Sequence, residues 1–315
     1  MSRGLKAFFV CLGIVVVFNI VASMLWLPMS MVIATSIVAT FIALSIPIYA
    51  LFRGADSEWS SKTALIYLGV GVGVQGVCTF IAQKVFGPNS FAPLVFMAFG
   101  QAGLLCWCLG FGALIAGLIK DKNLILPITG CLALIDIFLV MTPVGLTQIV
   151  MNAAPKVLPT IALKVPDMTA MPTHGHIGSL AHIGPADLLF IAMFFVAIHR
   201  FGLKAKQTLI ALIPTLVCYL LIVVFFGDIT VGRLHLNMLP GLPVIGLVIL
   251  LVNISEFKLN REEVLSTILV LAIITSALVW GVTRPLPPQN NVEVVQQGEL
   301  SPDKLETPLQ PQQTR

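Results

Sequence analysis

The chain has 315 residues, 57% of them hydrophobic and only 10% charged. Soluble globular domains carry roughly 25% charged residues, so a water-soluble domain is excluded. The formal net charge of +4 comes from lysines and arginines between long apolar runs, and it is no mark of nucleic-acid binding.

Apolar runs of about 20 residues recur along the sequence, each long enough to cross a bilayer as a helix. A membrane barrel would instead show strands of about ten residues with alternating polarity. Nine spans are predicted. Arg3 and Lys6 precede the apolar run Ala7–Leu27, which has the look of a signal peptide. Its length, and the second run that follows at once, make it an uncleaved first span. Met29–Phe52 follows, with Pro47 as a kink site. Thr63–Ala82 and Phe91–Ile119 are separated by the breakers Gly87, Pro88 and Asn89. Leu124–Thr142 is stopped or kinked by Pro143. Ile183–Ile198, Thr208–Phe226 (kinked at Pro214), Leu239–Val252 and Val264–Val282 complete the set. The expected fold class is all-α: a polytopic transmembrane helical bundle over residues 1–283. Residues 284–315 read as a disordered Pro- and Gln-rich tail.

One connection is long, Val144–His182, with Pro155, Pro159, Pro166 and Pro172. It is semi-apolar and is expected to lie on the membrane surface or re-enter it; long loops beside a site are often functional. Taking the N-terminus as cytoplasmic puts Arg3, Lys6, Arg53, Lys62, Lys120, Lys122, Arg200, Lys204, Lys206, Lys258 and Arg261 inside. It leaves Lys84, Lys156, Lys164, Arg233 and Arg284 outside. The positive-inside bias therefore predicts a cytoplasmic N-terminus, with the C-terminus and the long connection outside.

Of the fourteen acidic residues, only Asp136 and Asp187 fall within predicted spans. No lysine or arginine lies mid-span to neutralise them. An unpaired carboxyl at such depth is protonated or shares a proton with another acid. Two acids sharing a proton can act as base and acid toward a water. The same two residues could also bond backbone carbonyls, or form a proton or cation site in a carrier. Pro240-Gly241-Leu242-Pro243 opens the eighth span and cannot complete a helical ladder. By itself it reads as a proline kink. In the predicted topology Asp136, Asp187 and this run share the outer leaflet.

Other clusters are weaker. His174, His176 and His182 near Asp187 offer a metal set, but solvated loop histidines are the better reading, and no His-Glu-x-x-His is present. The six cysteines all lie in apolar runs and read as packing residues; Cys106 and Cys108 lack a third ligand nearby. Gly71, Gly73 and Gly76 match a dinucleotide fingerprint in spacing only. They sit inside a span with no preceding strand, so close helix packing explains them better. Asn19, Gln75 and Gln101 are expected to hydrogen-bond between helices.

The segment Cys131-Leu132-Ala133-Leu134-Ile135-Asp136-Ile137-Phe138 resembles the aspartate-bearing helix of the presenilin and signal peptide peptidase clan. Gly184-Pro185-Ala186-Asp187 resembles that clan's Gly-x-Gly-Asp, and Pro240-Gly241-Leu242-Pro243 its Pro-Ala-Leu-Pro. The order matches, and one span separates the second and third elements. The resemblance covers residues 124–252. Ile135 stands where the family has tyrosine, Ala186 where it has its second glycine, and Gly241 where it has alanine. The family places its aspartates in the sixth and seventh of nine spans, against the fifth and sixth predicted here. The resemblance implies a presenilin-like fold and an intramembrane aspartyl protease. Asp136 and Asp187 would be catalytic, and Gly184, Pro185, Ala186, Pro240, Gly241, Leu242 and Pro243 would bind substrate. It implies no cofactor and no nucleic acid. The partners would be the lipid bilayer and transmembrane proteins or signal-peptide remnants as substrates. A proton-coupled secondary transporter using the same acids and a non-catalytic presenilin-like scaffold are the alternatives.

Overall fold

The computed structural model describes residues 2–25, 31–86, 91–141, 161–166, 179–226, 230–231, 234–235, 240–258 and 260–283. The tail, 284–315, lies outside them. Nine α-helices occur among the described residues: α1 Arg3–Met24, α2 Val32–Ala55, α3 Ser61–Lys84, α4 Ala92–Leu118, α5 Ile125–Met141, α6 Pro185–Arg200, α7 Ala205–Phe226, α8 Leu242–Asn253 and α9 Arg261–Thr283.

Among the described residues six helical stretches, against the nine spans predicted, are long and apolar enough to cross a membrane: Arg3–Met24, Ile33–Ala55, Ser61–Lys84, Ala92–Leu118, Lys122–Val140 and Ala205–Val223. Their outer faces are apolar; Leu118 is 77% and Ile210 72% exposed. Bare leucine and isoleucine on that scale suit a lipid environment, because water would drive such faces together. The buried interior is also apolar, with Phe8, Ile48, Leu51, Leu104, Leu109, Phe194 and Phe195 among its fully covered side chains.

Small residues set the closest helix approaches. A Cβ at Gly112 of α4 would fall 2.7 Å from the backbone nitrogen of Met193 and 2.8 Å from the carbonyl of Leu189, so α4 and α6 touch backbone to backbone. Gly103 and Gly110 do the same between α4 and α3. Of the three glycines in the fingerprint-like spacing, only Gly71 joins this seam. A Cβ at Gly73 or Gly76 would meet nothing within 4 Å among the described residues, so close packing accounts for one of the three. Gln75 does bond between helices, accepting from the Trp107 indole at 2.6 Å. Asn19 instead donates to Val15 in its own helix at 2.8 Å, and Gln101 Oε1 has no hydrogen-bond partner among the described residues.

The chain is mostly helical, as expected, with two short strand pairs beside the helices. Described parts of the long connection form an antiparallel pair, β1 (Leu163–Pro166) and β2 (Ser179–Ile183). Leu163 pairs with Ile183, Lys164 with His182 and Val165 with Ala181, and the register slips at Pro166. Proline cannot donate to a ladder, which accounts for the irregularity at that end. β3 (Thr230–Val231) and β4 (Leu234–His235) form a second small pair. Strand β2 runs through Ile183, so α6 starts at Pro185 rather than at Ile183 as predicted. The intervening Gly184 is extended, with φ −60 and ψ 144, as the residue before a proline prefers.

Candidate active site

Three helices deliver the site, and each arrives by a different packing route. Helix α5 has α8 and α9 as its main neighbours. Gly246 of α8 lets Thr129 approach; a Cβ there would lie 2.6 Å from the threonine methyl. Gly130 similarly faces Leu271 of α9. The start of α5 is pinned by Asn123, which donates to the Lys258 carbonyl at 3.0 Å and accepts from its amide at 3.2 Å. These contacts carry Asp136, three turns further on, to the beginning of α8. There its Oδ2 accepts a hydrogen bond from the Leu242 amide at 3.0 Å. The first amides of a helix have no partner within it, and a carboxylate there also meets the positive end of the helix dipole.

Helix α6 packs chiefly on α4 and α2. Besides the Gly112 contact, the Cys108 thiol of α4 donates to the Pro185 carbonyl at 3.5 Å. Asp187 therefore sits in the first turn of a helix fixed from behind. Its carboxyl lies against Gly241. A Cβ at Gly241 would be 2.8 Å from Oδ1, 3.0 Å from Cγ and 3.2 Å from Oδ2 of Asp187. Gly184 also faces this carboxyl, with its missing Cβ 3.3 Å from Oδ2.

The third contribution comes from α7. The Tyr219 hydroxyl donates to the Pro240 carbonyl at 2.8 Å. Three consecutive residues thus meet three helices: Pro240 is bonded to α7, Gly241 lies against Asp187 of α6, and Leu242 is bonded to α5. Beside them is a cavity of about 100 Å³ whose walls include His182, Asp187, Leu216, Tyr219 and Gly241. Neither aspartate is in an ion pair among the described residues.

The structure therefore brings Asp136, Asp187, Gly184, Pro240, Gly241 and Leu242 together. Pro185 begins α6, and Pro243 occupies the second position of α8, where its missing amide costs nothing. Ala186 is exposed, so its methyl is not at the close approach; the demand for a missing side chain falls on Gly241. Ile135 is also exposed, at 41%. The phenol at the site comes from Tyr219 of another helix. Of the histidines weighed as metal ligands, His174 and His176 lie outside the described residues. His182 is on β2 and lines the cavity. Among the described residues no three metal-ligating side chains come together. Burial holds the Lys164 ammonium below its ordinary range. Partial burial, and then the charge of Lys164 across the ladder, hold the His182 imidazole below its own.

Sequence reasoning missed Tyr219 and the β1–β2 ladder. Tyr219 is one of only three tyrosines and lies deep in an apolar run. A phenol there needs a hydrogen-bond partner, which was the available signal. Comparison with protein-family models, with curated proteins and with solved structures returns no match.

Proposed function

We propose that this chain is an intramembrane aspartyl protease of the Gly-x-Gly-Asp type, related to presenilin and signal peptide peptidase. The observation that carries the reading is the convergence of Asp136 and Asp187 on adjoining residues of the Pro240–Pro243 run. Composition would allow two isolated intramembrane acids anywhere. Their meeting at a helix-breaking run is what proteolysis of a helix requires.

The chemistry follows from the pair. One ionised carboxylate takes a proton from a water as its oxygen attacks the peptide carbonyl carbon. The protonated partner donates to the carbonyl oxygen, giving a tetrahedral diol. The C–N bond then breaks as a proton passes to the leaving nitrogen, and the products are a carboxylate and an amine. No metal or cofactor is needed for any of these steps.

A substrate helix hides its bonds inside its own ladder and must unwind first. Strand β2 ends at Ile183, next to Gly184 and four residues before Asp187, so an extended segment added to the β1–β2 ladder would end near Asp187. Substrates on this reading are single membrane helices or signal-peptide remnants. With the N-terminus cytoplasmic, the site faces the outer leaflet, an orientation resembling signal peptide peptidase rather than presenilin.

The test is reconstitution of the purified chain with a synthetic single-helix peptide and mass spectrometry of the products. Internal cleavage that Asp136→Ala and Asp187→Ala each abolish supports the reading. Full cleavage by either variant ends it. Proton-driven solute uptake that needs the same acids, without cleavage, would favour the carrier instead.

A further inference from the structure

We infer that Tyr219 is a positioning residue for the aspartate pair, acting through the carbonyl of Pro240; this rests on the proteolytic reading above. Pro240 is buried, and its carbonyl precedes the first helical acceptor of α8, since the Ile245 amide bonds Gly241 at 3.1 Å. The Pro240 carbonyl therefore lies outside the α8 ladder, and the Tyr219 hydroxyl donates to it at 2.8 Å. A buried carbonyl left without a donor is costly enough to drive a local rearrangement.

What would rearrange is the run that both aspartates use. Rotation of the Pro240 carbonyl turns the Gly241 and Leu242 peptides with it. That would withdraw the Leu242 amide from Asp136 and shift Gly241 from the Asp187 carboxyl. One hydroxyl on α7 thus sets the placement of two carboxyls on α5 and α6. The donor comes from a helix that carries no acid of its own among the described residues. Tyr219 also walls the cavity beside Asp187, so filling space is the competing explanation for its presence.

Three variants separate these roles in the reconstituted full-length chain with the peptide substrate. Tyr219→Phe keeps the ring and removes the donor. We expect kcat to fall about 10- to 100-fold, the scale of a misplaced catalytic group, with KM unchanged and the chain still folded. Tyr219→Gln keeps a donor and loses the ring, and it should recover part of the loss seen with phenylalanine. Tyr219→Leu, lacking both, should be the slowest. Wild-type kcat in Tyr219→Phe overturns the inference. So does Tyr219→Gln no faster than Tyr219→Leu, since restoring a donor then restores nothing. A rise in KM with kcat kept also overturns it, because it places the tyrosine on the substrate. If the wild-type chain cleaves no peptide, the proteolytic reading fails and takes this inference with it. If the wild type cleaves and Tyr219→Phe cleaves as fast, only the inference fails.

Discussion

Asp136 Oδ2 accepts a hydrogen bond from the Leu242 amide across 106 residues of sequence. This bond joins the aspartate of α5 to the opening turn of α8. It separates two roles of one side chain, as an acceptor and as an acid. Asp136→Asn keeps an oxygen acceptor, so the fold should hold while the proposed proteolysis is lost. Asp136→Ala leaves the Leu242 amide unpartnered and should cost about 1–3 kcal/mol as well. Denaturation of the two variants side by side in one detergent checks this; equal stability would remove the bond from the account.

Gly241 lies under the Asp187 carboxyl, and a Cβ would come 2.8 Å from Oδ1. The clash is with the end of a short side chain, so the carboxyl can turn away. Gly241→Ala should therefore leave the helices in place and lower kcat about 10- to 100-fold. Retention of the wild-type rate would mean that the carboxyl does not work from this position.

The α4–α6 seam behaves differently, because its contacts are backbone atoms that cannot rotate aside. Gly112→Val should force α4 from α6 and destabilise the fold by about 1–3 kcal/mol or more. Gly73→Ala and Gly76→Ala, whose added methyls meet nothing within 4 Å among the described residues, should stay within about 0.5 kcal/mol of the parent. Thermal melts of the three variants read the contrast.

The helices were readable because a run of some 20 apolar residues has few other fates; all nine predicted segments contain a helix, and six stretches among the described residues are long and apolar enough to cross a membrane. The two acids and the Pro240–Pro243 run stood out because charge and helix breakers are expensive in such runs. What could not be read is pairing. β1 is four residues ending in Pro166, too short and too punctuated to show an alternating pattern. Asn19 was expected to bond a neighbouring helix and instead folds back on its own, a choice set by which carbonyl lies within reach. The exposure of Ala186 and the burden on Gly241 depend on how α6 and α8 meet, and no local pattern encodes that.

Lys164 and His182 face each other across the ladder, in strands outside the spanning helices. Both are held below their ordinary values, so the folded ladder disfavours their protonated forms. For His182 the unfolded chain binds more protons. Its contribution is full above about pH 6.5 and is lost as pH falls from there through the lower folded value. Acidification from pH 7 to 5 should loosen β2, read as faster amide exchange at Ala181–Ile183 after correction for intrinsic rates. Lys164→Met removes the opposing charge and should blunt the effect. Unchanged protection at pH 5 would contradict it.

The central claim is that Asp136 and Asp187 act as one unit on one peptide bond, and a double-mutant comparison tests that most directly. Cleavage of a single-helix peptide is timed for the wild type, Asp136→Ala, Asp187→Ala and the double variant. If the two are a pair, each single change costs about 10³-fold or more and the double variant is no slower than either, because the second acid has nothing left to do. Losses that multiply, or a single variant that cleaves at the wild-type rate, would contradict a shared site.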